Sequence, residues 1–298
     1  MNFILKLAQA VVLCSVTTLA FAGMAVAQGG DVGRAAKHRA LSWMPPDVNA
    51  PLPSLTSMPP CDLPKVLQDA GAQAVELTAN LENFTAEEKI EYQRLDRDGV
   101  PEESDFSVFD YVFAFEQVGG GRASREYRTP AKGGHAFPAS AQDTGEAALA
   151  LIFLPALQTD YEMTCEGLDK WNGQVAWVIH FRQRQDKAAR TLQFRVTKGT
   201  YFARLAGRAW IAIENGHIVH LETNTMQAIP SINIQSGATA IDYAPVQITS
   251  RKLELWLPER IEAYWEIGDR RTILYHTFSD FRVFSVEIQE NVEKPKEQ

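Results

Sequence analysis

Apolar positions along this chain recur first at helical spacing and then at strand spacing. Leu63, Val66, Leu67, Ala70, Ala74 and Leu77 lie three or four residues apart, with Asp62 placed to cap and Pro64 suited to a first turn. That pattern predicts one amphipathic helix. After Asn83 the period falls to two. Ser107, Phe109, Tyr111, Phe113 and Phe115 alternate with Val108, Asp110, Val112 and Ala114, and Val175, Trp177, Ile179 and Phe181 alternate with Gln174, Ala176, Val178, His180 and Arg182. These read as half-buried strands. Further strands are predicted at Leu192–Val196, Ala209–Glu214, His217–Glu222, Ala240–Ile248, Arg251–Leu257, Ile261–Ile267 and Thr272–Ile288. Asp98-Gly99, Asn172-Gly173 and Asn215-Gly216 supply the dipeptides that tight hairpins favour. Gly145–Phe153 (GEAALALIF) reads as a second short helix, ended by Pro155. Consecutive strands joined by tight turns predict a mainly β, α+β fold. Its economical form is a curved antiparallel meander with about two helices on its concave face.

The ends of the chain have a different character. Residues 1–27 combine Lys6, an apolar stretch from Leu7 to about Ala22 and the small-residue site Ala25-Val26-Ala27, which reads as a cleavable secretory signal peptide. Residues 28–60 carry Pro45, Pro46, Pro51, Pro53, Pro59 and Pro60 with little periodicity, and are expected to form an extended, disordered spacer. The domain then runs from 61 to 288, followed by a charged tail at 289–298. No other stretch is apolar and long enough to span a bilayer, so no integral membrane segment is expected after cleavage.

Composition narrows the function. The formal net charge is −8, or −9 without residues 1–27, and no basic face is evident. That disfavours nucleic acid and anionic surfaces as partners. Export leaves Cys61 and Cys165 in an oxidising compartment, where a disulfide between them is expected. Periplasmic or secreted localisation follows from the same reading.

Catalytic signatures are sparse. His217 and His220 on one strand are expected to point to opposite faces and so not to chelate one ion, His180 and His276 read as solvated or weakly bonded, and no metal or cofactor is implied. No Gly-x-Ser-x-Gly elbow is present, Gly119-Gly120-Gly121 lacks the partners of a phosphate loop, and the acidic residues Asp96, Asp98, Glu102, Glu103 and Asp105 surround a turn. Aromatics are more informative. Tyr111, Trp177, Phe181 and Trp210 lie on strands whose alternation admits either a filled core or the lining of an apolar cavity.

The hairpin Gly207–Glu222 (GRAWIAIENGHIVHLE) resembles the strand–turn–strand of periplasmic lipoprotein carriers of the LolA/LolB type and their envelope relatives. Tyr201 before it, the Leu257-Pro258-Glu259-Arg260 step and the long last strand through Phe284 fit the same pattern. The resemblance implies an unclosed half-barrel whose hollow is covered by helices and binds acyl chains. The leading expectation is therefore a non-enzymatic envelope protein that binds a lipid, an acylated protein or another apolar ligand. The alternatives are an envelope protein–protein interaction or sensor domain with a filled core, and a hydrolase whose triad meets only in space.

Overall fold

In the computed structural model, residues 44–52, 60–80, 83–118, 121–135, 145–196, 199–248 and 252–284 are described. The signal segment, residues 28–43 and 53–59 of the spacer, Gly119-Gly120 and the tail at 289–298 lie outside the described residues. Helix α1 spans Leu63–Asn80 and buries Val66, Ala70, Gly71 and Ala74, the face that the spacing marks. The Lys65 N–H donates to Asp62 Oδ1 over 3.2 Å, which satisfies one of the orphan donors of the first turn.

The strands are β1 (Asn83–Leu95), β2 (Pro101–Val118), β3 (Gly121–Pro130), β4 (Tyr161–Trp171), β5 (Gln174–Gln183), β6 (Leu192–Val196), β7 (Gly199–Ala203), β8 (Leu205–Ala212), β9 (Ile218–Thr225), β10 (Ile234–Ile248), β11 (Leu253–Ile267) and β12 (Arg270–Phe284). Ten of them form one unclosed sheet in the order β3-β2-β1-β12-β11-β10-β9-β8-β5-β4, and β6 pairs with β7 alone. Every ladder is antiparallel. The mainly β class is thus as expected, but the topology is not a simple meander. β1 pairs with β12 along nearly its whole length, from Asn83 opposite Phe284 to Leu95 opposite Arg271. The first strands of the domain are thereby joined to the last one.

The two strands expected at 251–257 and 261–267 are one. At the Leu257–Arg260 step the register slips by one residue, Tyr243 facing Pro258 while Asp242 faces Arg260, so a bulge absorbs Glu259 and the strand continues. Gly145–Phe153 also differs from expectation. Glu146–Phe153 is a 3-10 segment, followed by the short helix α2 (Pro155–Gln158). After Glu146 its side chains are all apolar, and it is buried rather than laid on a surface: Leu149, Ile152 and Phe153 are fully inaccessible. The segment touches α1, β9 and β11, and Phe153 meets Phe181 edge to face at 5.9 Å. The chain itself therefore occupies part of the space under the curved sheet.

Part of the Pro-rich spacer is ordered as well, contrary to the sequence reading. Residues 44–52 lie on the outer face of the sheet with Val48 fully buried. Val48 N–H donates to Asn224 Oδ1 over 3.0 Å, and Asn224 Nδ2 returns a bond to the Pro46 carbonyl over 2.9 Å. Arg208, only 3% exposed, donates to the carbonyls of Asp47 and Ala50 while pairing with Glu166. Polar groups from distant strands thus satisfy a proline-rich backbone that has few donors of its own.

Cys61 and Cys165 form the expected disulfide, which ties the start of α1 to edge strand β4 across 104 residues. Closing a loop of that length restricts the unfolded chain by about 4–5 kcal/mol in the chain-entropy picture. The Cys61→Ala/Cys165→Ala variant is expected to lose about 2–5 kcal/mol of unfolding free energy in urea titrations. An unchanged midpoint and slope would show that the bridge contributes nothing.

Candidate functional site

Register divides the four aromatic candidates between the two faces. Trp210 pairs with Val178 and so shares its face, whereas Trp177 and Phe181 project to the other side. Phe181 is fully buried in the main core, with Tyr161 edge-on at 5.8 Å, and Trp177 packs at that core's margin. Tyr111 is equally inaccessible, 5.2 Å from Phe278 and beneath the Arg128 guanidinium at 5.1 Å. Trp210 belongs instead to an outer cluster with Ala176, Val178, Ala212 and Val219. There it meets Trp171 at 5.4 Å and donates to Asp169 Oδ2 over 3.1 Å. The structure does not bring these four residues together.

The apolar cavity lies elsewhere. A space of about 260 Å3 opens between α1 and the strands below it, walled by Ala74, Leu77, Ile218, Tyr243, Leu255 and Trp256. Gln73, Glu76, His217 and Glu254 stand around it, and Ala150 of the 3-10 segment also contributes. Gln73 Nε2 donates to the Asn215 carbonyl over 3.1 Å, which fixes α1 over the β8–β9 turn. His217 stacks on Trp256 at 4.7 Å and 17°. Burial pushes its imidazole down to about 4, so it is neutral at physiological pH. Inward, a crevice of about 10 Å3 continues between Leu77, Tyr243 and Trp256 towards Phe84, Phe113 and Leu151. The buried Trp256 Nε1 and Tyr243 Oη have no well-formed hydrogen bond. Burial pushes the Tyr243 phenol upward, partly offset by the Ala150 backbone beside it, so it keeps its proton.

A second constellation is wholly internal. Arg128 on β3 reaches Glu88 on β1 through Nε at 2.6 Å and Nη2 at 3.0 Å, and Glu126 through Nη2 at 3.1 Å. The His276 Nδ1–H donates to Glu88 Oε1 over 2.7 Å, and His276 Nε2 stands 3.9 Å from Glu146. Glu126 Oε1 accepts the Gly145 N–H over 3.0 Å, so the cluster also holds the entry to the 3-10 segment. His276, read from the sequence as solvated or weakly bonded, is instead only 2% exposed and paired with Glu88. It shares the core face with Leu274 and Phe278, and β12 is apolar on both faces, so alternation alone could not assign it. The sequence does contain a signal for this cluster. Glu88 interrupts the inward stripe Phe84, Ala86, Ile90, a charge at an apolar position.

On the outer face His220 Nδ1 lies 2.8 Å from Asp242, which also accepts from Trp171 Nε1 at 2.8 Å, while Trp171 stacks on the imidazole at 3.5 Å. The β8–β9 register shifts here, with His220 opposite Trp210 and Ile218 opposite Ile211, so simple alternation does not separate His217 from His220. Burial lowers the pKa of His220, but Asp242 and Glu222 outweigh that and raise it. Among the described residues no group of three or more His, Cys, Asp or Glu could hold a metal ion. The acidic turn after β1 is internally paired: Asp96 Oδ1 accepts the N–H groups of Asp98 and Val100, and Arg94 binds Glu102 and Glu103.

No protein-family model matches the chain, and no curated protein matches it. Solved structures similar to it include a DUF1329 family protein from Desulfovibrio piger, 10% identical, TM-score 0.41, over 73% of this chain and 92% of that one. A LolA superfamily protein from Nitrosomonas europaea matches at 10% identity and TM-score 0.38, over 74% and 94%. A putative outer membrane lipoprotein-sorting protein domain from Vibrio parahaemolyticus matches at 13% and 0.40, over 76% and 96%. The superfamily that the Gly207–Glu222 hairpin resembles is thus among these neighbours.

The Glu88–Arg128 pair yields a pH prediction. Burial pushes the Glu88 carboxyl up, but Arg128 and His276 outweigh it and lower its pKa from the ordinary 4.5 to about 2. A depressed folded-state pKa stabilises the fold above the unfolded value, and that contribution is lost as pH falls from about 4.5 through 2. Unfolding midpoints are expected to drop across this window more steeply in the native protein than in Glu88→Gln; equal slopes would refute the assignment. Arg128→Met, which strands Glu88 and Glu126 without their cation, is expected to cost about 3–5 kcal/mol.

Proposed function

We propose that this protein is a non-enzymatic, exported binding protein that accepts a single apolar chain in the space between α1 and strands β9 to β11. The observation that carries the reading is the cavity of about 260 Å3, walled by Ala74, Leu77, Ile218, Leu255 and Trp256. Pockets for small molecules run from about 300 Å3 upward. This one suits one acyl chain or a comparable apolar group, not a whole multi-chain lipid. The partly occupied hollow explains that limit, because Leu149, Ile152 and Phe153 take up part of the volume that an open half-barrel would offer. The Cys61–Cys165 disulfide supports export, since such bridges persist in oxidising compartments.

The same occupied interior favours a second reading, an envelope interaction domain whose pocket receives one apolar side chain of a partner protein. Native mass spectrometry of the mature protein from its own envelope, with organic extraction, separates the two. A co-purifying acyl species of narrow mass range supports the carrier, and a clean apo mass supports the interaction domain. Leu77→Trp, which places a larger ring at the cavity mouth, is expected to weaken displacement of a bound fluorescent apolar dye by acyl ligands at least about tenfold, a loss of about 1.4 kcal/mol. Val75→Thr, on the exposed side of α1, serves as control. Equal affinities in both variants would remove the cavity from the proposal.

A further inference from the structure

The acidic net charge, −8 over the whole chain, conceals a stretch of the opposite sign. Residues 182–204 carry seven Arg or Lys and one acid, Asp186, a local charge of +6. The expectation that anionic surfaces are disfavoured therefore does not extend to this stretch. Its described residues gather on one surface. Arg204, just past β7, donates from Nη1 to the Arg184 carbonyl over 2.6 Å and from Nη2 to the Gln185 carbonyl over 3.1 Å, which ties the base of the β6–β7 hairpin to the 184–190 turn. Carbonyls accept its hydrogen bonds without neutralising its charge. Arg184 pairs with Asp186 at 3.1 Å, Lys187 and Arg190 stand 4.0 and 3.7 Å from Asp160, and the exposed Arg182 faces Glu162 across the β4–β5 ladder. Five cations thus meet three carboxylates, and exposed pairs of this kind contribute little and are screened by salt.

The hairpin is apolar where it leaves the body of the fold. Among the described strands β6 and β7 pair only with each other, and Leu192, Phe194 and Ala203 bury one of their faces in the core. The other face carries Phe202, opposite Gln193 and 43% exposed. Val196 at the end of β6 is 42% exposed, and a methyl group on its partner Gly199 would meet no atom within 4 Å. A projecting tip offers a protein segment no groove, whereas a bilayer accepts apolar side chains at its headgroup boundary while neighbouring Lys and Arg face the lipid phosphates. Phe106 is 60% exposed as well, but beside Glu103 and Asp105, with Lys89 over its ring. We propose that the β6–β7 hairpin and the 184–190 turn dock this protein on an anionic lipid bilayer, with Phe202 and Val196 entering the headgroup region and Arg184, Lys187, Arg190 and Arg204 against the phosphates. The docking is independent of the cavity beneath α1.

The test is flotation of the purified mature protein with vesicles of phosphatidylcholine alone or of an equal mixture with phosphatidylglycerol. Affinity for the mixed vesicles is expected to be at least about tenfold higher, and to fall back in molar salt, where screening shortens the reach of each charge. Phe202→Ser is expected to weaken binding to mixed vesicles about fivefold or more. Phe106→Ser, which removes the exposed ring in acidic surroundings, is expected to bind as the native protein does. Arg184→Gln/Lys187→Gln is expected to lower both the affinity and its dependence on salt. A bimane label on Val196→Cys, whose emission moves to the blue in an apolar setting, reads the tip directly and is expected to shift with mixed vesicles alone. No binding, equal affinity for the two vesicle types, a Phe202→Ser variant that binds like the native protein, or an unshifted label would overturn the docking. So would soluble polyglutamate that binds as tightly as mixed vesicles with no dependence on Phe202, a result that assigns the patch to an acidic protein.

Discussion

Leu149, Ile152 and Phe153 have no solvent exposure, and the segment carrying them is in contact with α1, β9 and β11. Burying each such side chain stabilises the fold by about 1.5–3 kcal/mol, which makes this short insertion a large term for its length. It is also the element that α1, β9 and β11 share as a packing partner. α1 is seated against it, with Gln158 Nε2 bridging the carbonyls of Leu67 and Phe153 at 2.9 and 2.7 Å. Gly71 allows that approach, since a methyl group there would stand 3.3 Å from the Phe153 carbonyl oxygen. The helix, the cavity beneath it and the disulfide at its start all depend on where this apolar segment lies.

A 3-10 segment does not hold a position by its own hydrogen bonds, and here the buried ionic cluster supplies the missing fixing. Glu126 receives the Gly145 N–H and shares Arg128 with Glu88, which in turn receives His276. Those residues come from β3, β1 and β12, so the contact that anchors the insertion also ties an edge of the sheet to its middle. Buried pairs of this sort stabilise little over an apolar replacement but penalise their own disruption heavily. They specify where the segment sits more than they strengthen the fold.

Much of this was legible locally and little of it at long range. The stripe Ser107, Phe109, Tyr111, Phe113 is buried as its period demands, and the α1 face is the one its spacing marks. Asn172 and Gly173 both take positive φ, at 46° and 86°, as the dipeptide predicts for a tight hairpin. What failed needed partners distant in sequence. Alternation says that Trp210 and Trp177 each point to one side of their strands, but only the register, Trp210 opposite Val178, says that the sides differ. β1 against β12 could not be read from turn chemistry, because no turn joins them. The ordering of residues 44–52 depends on Arg208 and Asn224, far along the chain, and a run of prolines carries no sign of them.

The cavity follows from the same geometry. Where the 3-10 segment ends its contact with the strands, α1 still spans the gap, and the turn at Asn215-Gly216 holds it there through Gln73 and through the close approach of Gly216 to Asp69. Apolar side chains, with Gln73, Glu76, His217 and Glu254 around them, thus face one another across a space that the chain does not fill. Interiors pack densely, and a void forfeits dispersion contacts along its whole lining. The wall that the insertion leaves uncovered is therefore where the proposed apolar guest would restore those contacts.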